Sequence, residues 1–442
     1  MDINEIIDII RKELKDYQWE VYYLKTKKLK AESKNFKLDV LTTSDEAGYS
    51  LRVLNGKSQG FAYSSSFNKD SVYETIKKAK ELSEITSPDE ANGFCETLEE
   101  TEKVEYFDNF AVSISPSEKA EKSIQLEELV KSKDERIKRV RSSSFSETIF
   151  EKKIYNSYGI EISEKGTIYS AMVSAVAESN GDSQIAWSYN ASRFLEDLDL
   201  EAVADEAVFT ALSLLNSTGI KTKTMPVVFS PLISSQFLGT FSSTFTGDAL
   251  IKDKTLFKGK ENTSVASELI TIVDDGRLKK GIATTTYDDE GVPTRKNVLI
   301  ENGIFKGFLH NIYTGKKLKT KSTGNGSRSG FRSLPHVETA NLYIENGSVN
   351  LKEELKNYDE VFYITDVMGL HTADPISGEF SVGASGILYS KGECIRGIRG
   401  VTIADNYLNL LNKVKAVAND LKFYGSTGSP SIIFENVMVA GE

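Results

Sequence analysis

Between Met368 and Glu393 the chain reads MGLHTADPISGEFSVGASGILYSKGE, and few backbones can accommodate such a run. Gly369, Gly378, Gly383, Gly386 and Gly392 sit among small hydroxyl residues, and Asp374-Pro375 marks a turn. Glycine adopts positive φ at no steric cost and lets another backbone approach closely. The stretch therefore predicts a turn-rich region in which main chain lies against main chain or against a ligand.

The rest of the chain separates by periodicity. Ile6, Ile7, Ile9, Ile10 and Leu14 form one apolar stripe and predict an opening helix. Trp19 to Tyr63 alternates, with Asn55-Gly56 as a hairpin signal. A second helix follows, capped by Asp70 or Ser71, with Val72, Ile76, Ala79 and Leu82 on its inner face. Ser83 to Asp108 loses periodicity and reads as an acidic surface linker whose Glu99, Glu100, Glu102 and Glu105 face solvent rather than a cation. Beyond it we expect a helix near Pro116 to Lys131, strands over Arg136 to Ser146 and Thr148 to Ser157, and a pair joined at Asn180-Gly181. A helix spans Leu200 to Leu215.

Pro226 to Phe229 reads as a buried strand, and Ser230-Pro231 opens a helix running to about Phe245. Asn302-Gly303 and Asn346-Gly347 predict two further hairpins, Asn406 to about Ala418 a helix, and Ser431 to Val439 a closing strand. The fold class is α+β: an amino-terminal α+β region, residues 1–220, divisible into 1–85 and 109–220, then a β-rich, barrel-like carboxy-terminal domain, 221–442, with a few helices.

Four stretches together resemble the TldD/TldE (PmbA) family, once called modulators of DNA gyrase. They are His371-Thr-Ala-Asp-Pro-Ile-Ser-Gly-Glu-Phe-Ser381 with Gly383-Ala-Ser-Gly386, Tyr287-Asp-Asp-Glu-Gly-Val-Pro-Thr294, Lys321-Ser-Thr-Gly-Asn325, and Arg52-Val-Leu-Asn-Gly56 leading into Gly60-Phe-Ala-Tyr63. The first has the TldE/PmbA form. In the catalytic TldD branch, a His-Glu-x-x-x-His helix and a carboxy-terminal cysteine bind zinc, and the Glu acts as general base toward metal-bound water. Anchored on Gly247-Asp248, those helix positions fall near Leu238, Gly239 and Ser243 here, and the closing segment has no cysteine. None of these can ligate zinc or act as a base.

Composition narrows the partners. A formal net charge of -10 opposes broad binding to nucleic acid or an anionic membrane, and no apolar run approaches the roughly 20 residues that span a bilayer. Two cysteines, Cys95 and Cys394, make a disulfide framework improbable, and the expected compartment is cytoplasmic.

His310, His336 and His371 lie on separate segments without helical pair spacing. Ser381, His371 and Asp374 include the residue types of a hydrolase triad but lack a G-x-S-x-G elbow, so a hydrogen-bonded turn is the simpler reading. Asp288, Asp289 and Glu290 read as turn-forming or paired with basic groups rather than as a metal cluster. Lys316 to Arg332 is the most basic loop and lacks a Walker ending; an exposed loop neutralising acidic neighbours or a partner is favoured over an anion site.

The resemblance implies a non-catalytic subunit of a zinc-dependent peptidase, with zinc in a TldD-type partner and no cofactor in this chain, acting on unfolded or modified peptides and able to dimerise. Asn325, His371, Ser381 and Gly383 are the candidate chamber or interface positions, with turn-holding in the barrel as the competing role. An independently active peptidase with another site, or a non-enzymatic peptide-binding scaffold, are the alternatives.

Overall fold

A computed structural model describes residues 1–442. Its amino-terminal part comprises α1 (Ile3–Glu13), β1 (Gln18–Lys34), β2 (Lys37–Asn55), β3 (Ser58–Ser64), α2 (Lys69–Ile85), α3 (Pro116–Lys133), β4 (Ile137–Asn156), β5 (Glu161–Ser179), β6 (Asp182–Ser192) and α4 (Leu200–Ser213). The six strands form one antiparallel sheet in the order β3-β2-β1-β4-β5-β6. Alternation sends Val21, Leu29, Tyr49, Leu51, Phe145, Ala171 and Val173 to one face, where α1 and α2 cover one end and α3 and α4 the other. No helix is long and apolar enough to cross a membrane.

Local signals explain most of these elements. Asn180-Gly181 turns with both φ positive, as expected of a two-residue hairpin. Asn68, rather than Asp70 or Ser71, caps α2, accepting from the Ser71 N–H at 2.9 Å. The two strands expected between Arg136 and Ser157 are one strand, β4; no turn former interrupts it, and Thr148 pairs with Lys28 on one side and Ile168 on the other. The expected surface linker is irregular, but Ala91, Phe94, Cys95 and Tyr106 within it are buried, while its acidic run stays in solvent. Aromatic anchors without periodicity hold it down.

The carboxy-terminal part contains β7 (Lys223–Phe229), α5 (Pro231–Thr240), α6 (Gly247–Ile251), β8 (Ile272–Asp275), β9 (Lys296–Glu301), β10 (Ile304–Phe305), α7 (Ile312–Lys317), β11 (Gly326–Ser327), β12 (His336–Val337), β13 (Leu342–Ile344) and α8 (Leu351–Glu354). It continues through β14 (Val361–Met368), β15 (Glu379–Ser390), β16 (Glu393–Asn406), α9 (Tyr407–Asn412), β17 (Val414–Val417), β18 (Lys422–Tyr424), β19 (Thr427–Ser429) and β20 (Ile432–Ala440). Strands β7, β14, β15, β16 and β20 close into a barrel, because β20 pairs with β7 along most of its length and with β16 at Thr402↔Ala440 and Ile403↔Val439. A second sheet, β10-β9-β8-β13-β19-β18, lies beside it. The α+β class with a carboxy-terminal barrel is thus the observed architecture.

Three expectations are corrected here. The helix after β7 ends at Thr240, and Ser242–Phe245 forms a separate 3-10 turn; Phe241 leaves the helix and stacks on Tyr407 at 4.1 Å. The helix expected to Ala418 stops at Asn412, and β17 pairs with β20; the spacing of Leu408, Leu411, Val414 and Val417 mimics a helix, but the β-branched end joins a sheet. Asn346-Gly347 is not a hairpin: the Gly347 N–H donates to the Ala418 carbonyl at 2.9 Å, and a Cβ there would stand 2.0 Å from the Val417 carbonyl oxygen.

The glycine-rich stretch supplies β15. A Cβ on Gly386 would lie 2.0 Å from the Tyr363 carbonyl oxygen and 2.8 Å from the Ile364 Cα, both main chain of β14. Gly386→Ala is therefore expected to destabilise the barrel by about 1–3 kcal/mol, as core overpacking does, read as a lower urea midpoint at unchanged m-value.

Candidate functional site

Three of the four motif stretches meet where the uncovered face of the amino-terminal sheet rests on loops of the carboxy-terminal part. Strand alternation puts Glu20, Tyr22, Arg52, Lys152, Ile154, Ile162 and Glu164 on that face, with Glu20↔Arg52, Tyr22↔Ile154 and Lys152↔Glu164 as cross-strand neighbours. Arg52 grips Glu20 with two hydrogen bonds, Nε to Oε1 at 2.9 Å and Nη2 to Oε2 at 3.1 Å, stands 3.5 Å from Glu290 and stacks on Phe94. Arg328 donates to the same Glu20 and lies over the Tyr22 ring. Lys152 donates to the Tyr287 carbonyl at 2.8 Å and pairs with Asp289 and Glu164, each at 3.1 Å.

The Asp288-Asp289-Glu290 turn is built around backbone donors. The Asp288 carboxylate accepts from the N–H groups of Glu290, Val292 and Gly326, each at 2.9 Å. Asp289 accepts from the Arg328 N–H, and Glu290 from the Ile312 N–H. Burial, then the Glu290 charge, pushes the Asp288 carboxyl up to about 7. Burial alone would depress the Lys152 ammonium, but Glu164 and Asp289 outweigh it and hold the group above its ordinary value. These carboxylates are paired and turn-forming.

Asn325 is buried in the adjoining loop. Its Nδ2 donates to Asp274 Oδ2 at 2.7 Å and to the Glu338 carbonyl at 3.0 Å, and its Oδ1 accepts from Thr323 and Asn297. Asp274, fully buried, also accepts from the Ala340 N–H, and burial pushes its carboxyl up to about 7. Lys152, Asp288, Asp289, Asn325, Glu338 and Ser426 line a polar cavity of about 260 Å³ beside this network.

Helix α5 lies behind the Ser426 wall, packed against β19, β14 and the Leu370–Thr372 turn. Ser230 caps it with Pro231 in the first turn, as the sequence predicts. Leu238 is wholly buried, a Cβ at Gly239 would stand 3.7 Å from Thr427 Oγ1, and Ser243 is exposed on the 3-10 turn past the helix end. Zinc, which the resemblance implies for the catalytic branch, does not fit the donors of this chain. No three or more His, Cys, Asp or Glu side chains are grouped to hold a metal ion. His310 is buried against Thr314, which depresses its imidazole; His336 pairs with Glu338; His371 is exposed.

The remaining candidates sit on the turn at Leu370–Thr372 and on β15. His371 is in the turn touching the helix, Ser381 points outward from β15, and Gly383 lies half-buried against Met368. Asp374 accepts from the Ile376 N–H and the Ser377 hydroxyl, which lowers its carboxyl, and no hydrogen bond joins it to His371 or Ser381. His371 lies in a turn that touches α5 and Asn325 in the network beside the polar cavity, and the structure builds no triad. Sequence reasoning missed Glu20, Lys152, Glu164 and Asp274; the first three lie on the strand phase that faces away from the helices, where only a distant loop buries them.

A barrel of this kind, carrying α5 and fastened to a half-covered sheet, is the build of a metallopeptidase family in three segments. The chain matches the PmbA/TldA metallopeptidase domain 1 over residues 19–83, the central domain over 111–215 and the C-terminal domain over 222–441. It belongs to the PmbA/TldD family. The metalloprotease PmbA of Escherichia coli O157:H7 is 24% identical over 96% of this chain and 92% of its own. A metalloprotease TldD homolog of Buchnera aphidicola subsp. Acyrthosiphon pisum is 28% identical over 90% and 87%. The crystal structure of TldE from Thermococcus kodakarensis is 29% identical and superposes with a TM-score of 0.90, covering 99% of this chain and 100% of that one.

Two outcomes follow from the junction. Arg52→Ala leaves Glu20 and Glu290 buried with less counter-charge and is expected to cost about 3–5 kcal/mol, measured by urea unfolding. Asp274, raised to about 7 from roughly 3.9 in the unfolded chain, contributes stability that is complete below the unfolded value and lost as pH rises through about 7. Asp274→Asn should lose less stability than the parent between pH 4 and 8, by up to about 1.4 kcal/mol per pH unit in the steepest part, in a pH series of unfolding curves.

Proposed function

We propose that this chain is a TldE/PmbA-type subunit of a metallopeptidase complex, supporting a TldD-type partner that carries the zinc and the general base. The reading rests on α5: the resemblance puts the ligands and base of the catalytic branch near Leu238, Gly239 and Ser243, and none of these three side chains can ligate zinc or act as a base. Relatives named PmbA, TldD and TldE support it, spanning nearly the full chain. The complex acts in the cytoplasm on unfolded or modified peptides.

In this reading residues 221–442 supply one wall of a shared chamber and residues 1–220 form the outer clamp. His371, Ser381 and Gly383 are wall positions, reached from the open side of β15. Asn325 acts one layer back, holding Asp274 and the Glu338 loop in place beside the cavity. An extended substrate binds by main-chain hydrogen bonds with little demand on its side chains.

Hydrolysis of an unstructured peptide is measured for the chain alone and mixed with a TldD-type relative, each with and without a chelator. Activity is expected only in the mixture, and chelation abolishes it. Chelator-sensitive hydrolysis by the rigorously purified chain alone would sink the reading, as would a mixture no faster than the TldD-type chain by itself.

A further inference from the structure

Strand β3 and helix α2 leave a groove between them at the edge of the amino-terminal sheet. Gly60 sets its width: a Cβ there would stand 1.8 Å from the Ala79 carbonyl oxygen, so only glycine lets the helix backbone lie directly on the strand. That contact buries the α2 stripe of Val72, Ile76 and Ala79. A neighbouring stripe, Lys78, Glu81, Leu82 and Ile85, is left beside the strand edge and lines a space of about 570 Å³ with Phe61 and Tyr63. Ile85 is 80% exposed, Tyr63 51% and Leu82 41%. Single exposed apolar side chains are ordinary, but three around one groove form a patch.

The strand edge offers main chain to the same groove. Asn55 and Ser58 flank a two-residue turn as a hydrogen-bonded pair, so Ser58, Gly60, Ala62 and Ser64 direct their N–H and C=O groups to β2. Gln59, Phe61 and Tyr63 direct theirs outward, and none of these six groups has a hydrogen-bond partner in the chain. Strand β3 carries no lysine, arginine or proline, the residues that usually protect such an edge. Just before it the edge is already in use, because the Lys57 carbonyl accepts from the Asp89 N–H at 3.1 Å and from Asn92 Nδ2 at 2.8 Å. The linker stops there and leaves Gln59 to Tyr63 open, roughly 16 Å of strand.

We infer that an extended, uncharged segment of polypeptide binds here as an added strand, pairing its main chain with Gln59, Phe61 and Tyr63 and placing alternate side chains against Leu82 and Ile85. Its other side chains fall on the opposite face of the sheet, beside the Phe61 and Tyr63 rings, which lie 6.2 Å apart. Both faces of the added strand therefore meet apolar surface. Charge favours a neutral segment: Lys78 is paired with Glu74 at 2.7 Å and Glu81 with Lys77 at 3.8 Å, so neither charge in the groove calls for a counter-ion on the ligand. A strand held between a sheet edge and a helix is bound through its backbone, with modest demands on its sequence. The ligand class rests on the reading of this chain as part of a peptidase complex, and the site gives the subunit a hold on an unfolded segment separate from the wall at His371, Ser381 and Gly383.

A labelled, end-capped hexapeptide of leucine and threonine is titrated into the full chain alone, with neither partner nor metal, and followed by fluorescence anisotropy. Saturable binding is expected, and hydrogen exchange should slow at the Phe61 and Tyr63 amides when the peptide is present. Ile85→Lys should weaken binding by about tenfold or more, because it puts a cation against the bound strand. The melting temperature should not change, since the side chain is exposed and a cation suits the last turn of a helix. Gln59→Pro removes one outward N–H from an edge strand that tolerates proline, and should weaken binding about fivefold. The same peptide N-methylated throughout should not bind. Absence of saturable binding overturns the inference. So does binding indifferent to both Ile85→Lys and N-methylation, or an edge protected by a second copy or a TldD-type chain and not by the peptide. Capture at β3 with no gain in hydrolysis on mixing would keep this inference and end the subunit reading; faster hydrolysis with no protection at β3 would do the opposite.

Discussion

The relation between the sheet and the barrel depends on one carboxylate, Glu20, shared by two arginines from different parts of the chain. Arg52 comes from the neighbouring strand and Arg328 from the loop after α7, so Glu20 ties β1 and β2 to the carboxy-terminal part. Lys152 makes the same connection one row further along, between Glu164 of the sheet and Asp289 of the loop. Burying such charges costs solvation that their attraction only partly offsets. What they supply is geometry: each guanidinium accepts few arrangements, and the apolar contact at this junction, centred on Tyr22, Ile154, Ile162 and Phe331, is small. The ion pairs thus fix which face of the sheet meets the barrel and at what height.

That orientation places the polar cavity next to α5. The helix itself is held by apolar packing, with Phe237 at 4.9 Å from Phe229 and 5.0 Å from Phe380, and Leu238 wholly buried. Its stability therefore lies in the barrel core, and none of its residues from Pro231 to Thr240 is exposed.

Much of this was legible in the sequence where the physics is local. Asn180-Gly181 and Asn302-Gly303 form the turns their chemistry demands, Ser230-Pro231 opens α5, and the α+β division follows from a change of period. The same dipeptide misled at Asn346-Gly347, where Gly347 is required by contact with Val417, some 70 residues away, which no local rule can see. Leu408 to Val417 failed for a related reason: an i+3 spacing fits a helix or a short strand, and pairing with β20 decides. The junction was least legible. Glu20, Lys152 and Glu164 look like ordinary charges on solvent-facing phases of strands, and only the approach of a distant loop buries them. The motif stretches marked half of that contact, since Arg52 and Asp288 lie in them, with Asn325 in the adjoining buried network.

One alternation serves two purposes along the amino-terminal sheet. Near the base, the residues that point away from the helices carry charge and are buried on the barrel. Further out the strands outrun both the barrel and β3, and the same phase continues as Thr26, Lys28 and Lys30 on β1 beside Thr42 and Ser44 on β2, in solvent. The sheet is longer than its own core requires: β1, β2, β4 and β5 have 17 to 20 residues, whereas β3 has seven. Leu29, Ala31 and Phe145 on the outer part are still buried under α3, whereas residues 37–46 of β2 bury nothing and leave main-chain groups for solvent to satisfy. The arm's stabilising contacts therefore lie on its helix-covered side, where Glu127 accepts from the Phe36 N–H and the Ser123 carbonyl from the Ser33 hydroxyl.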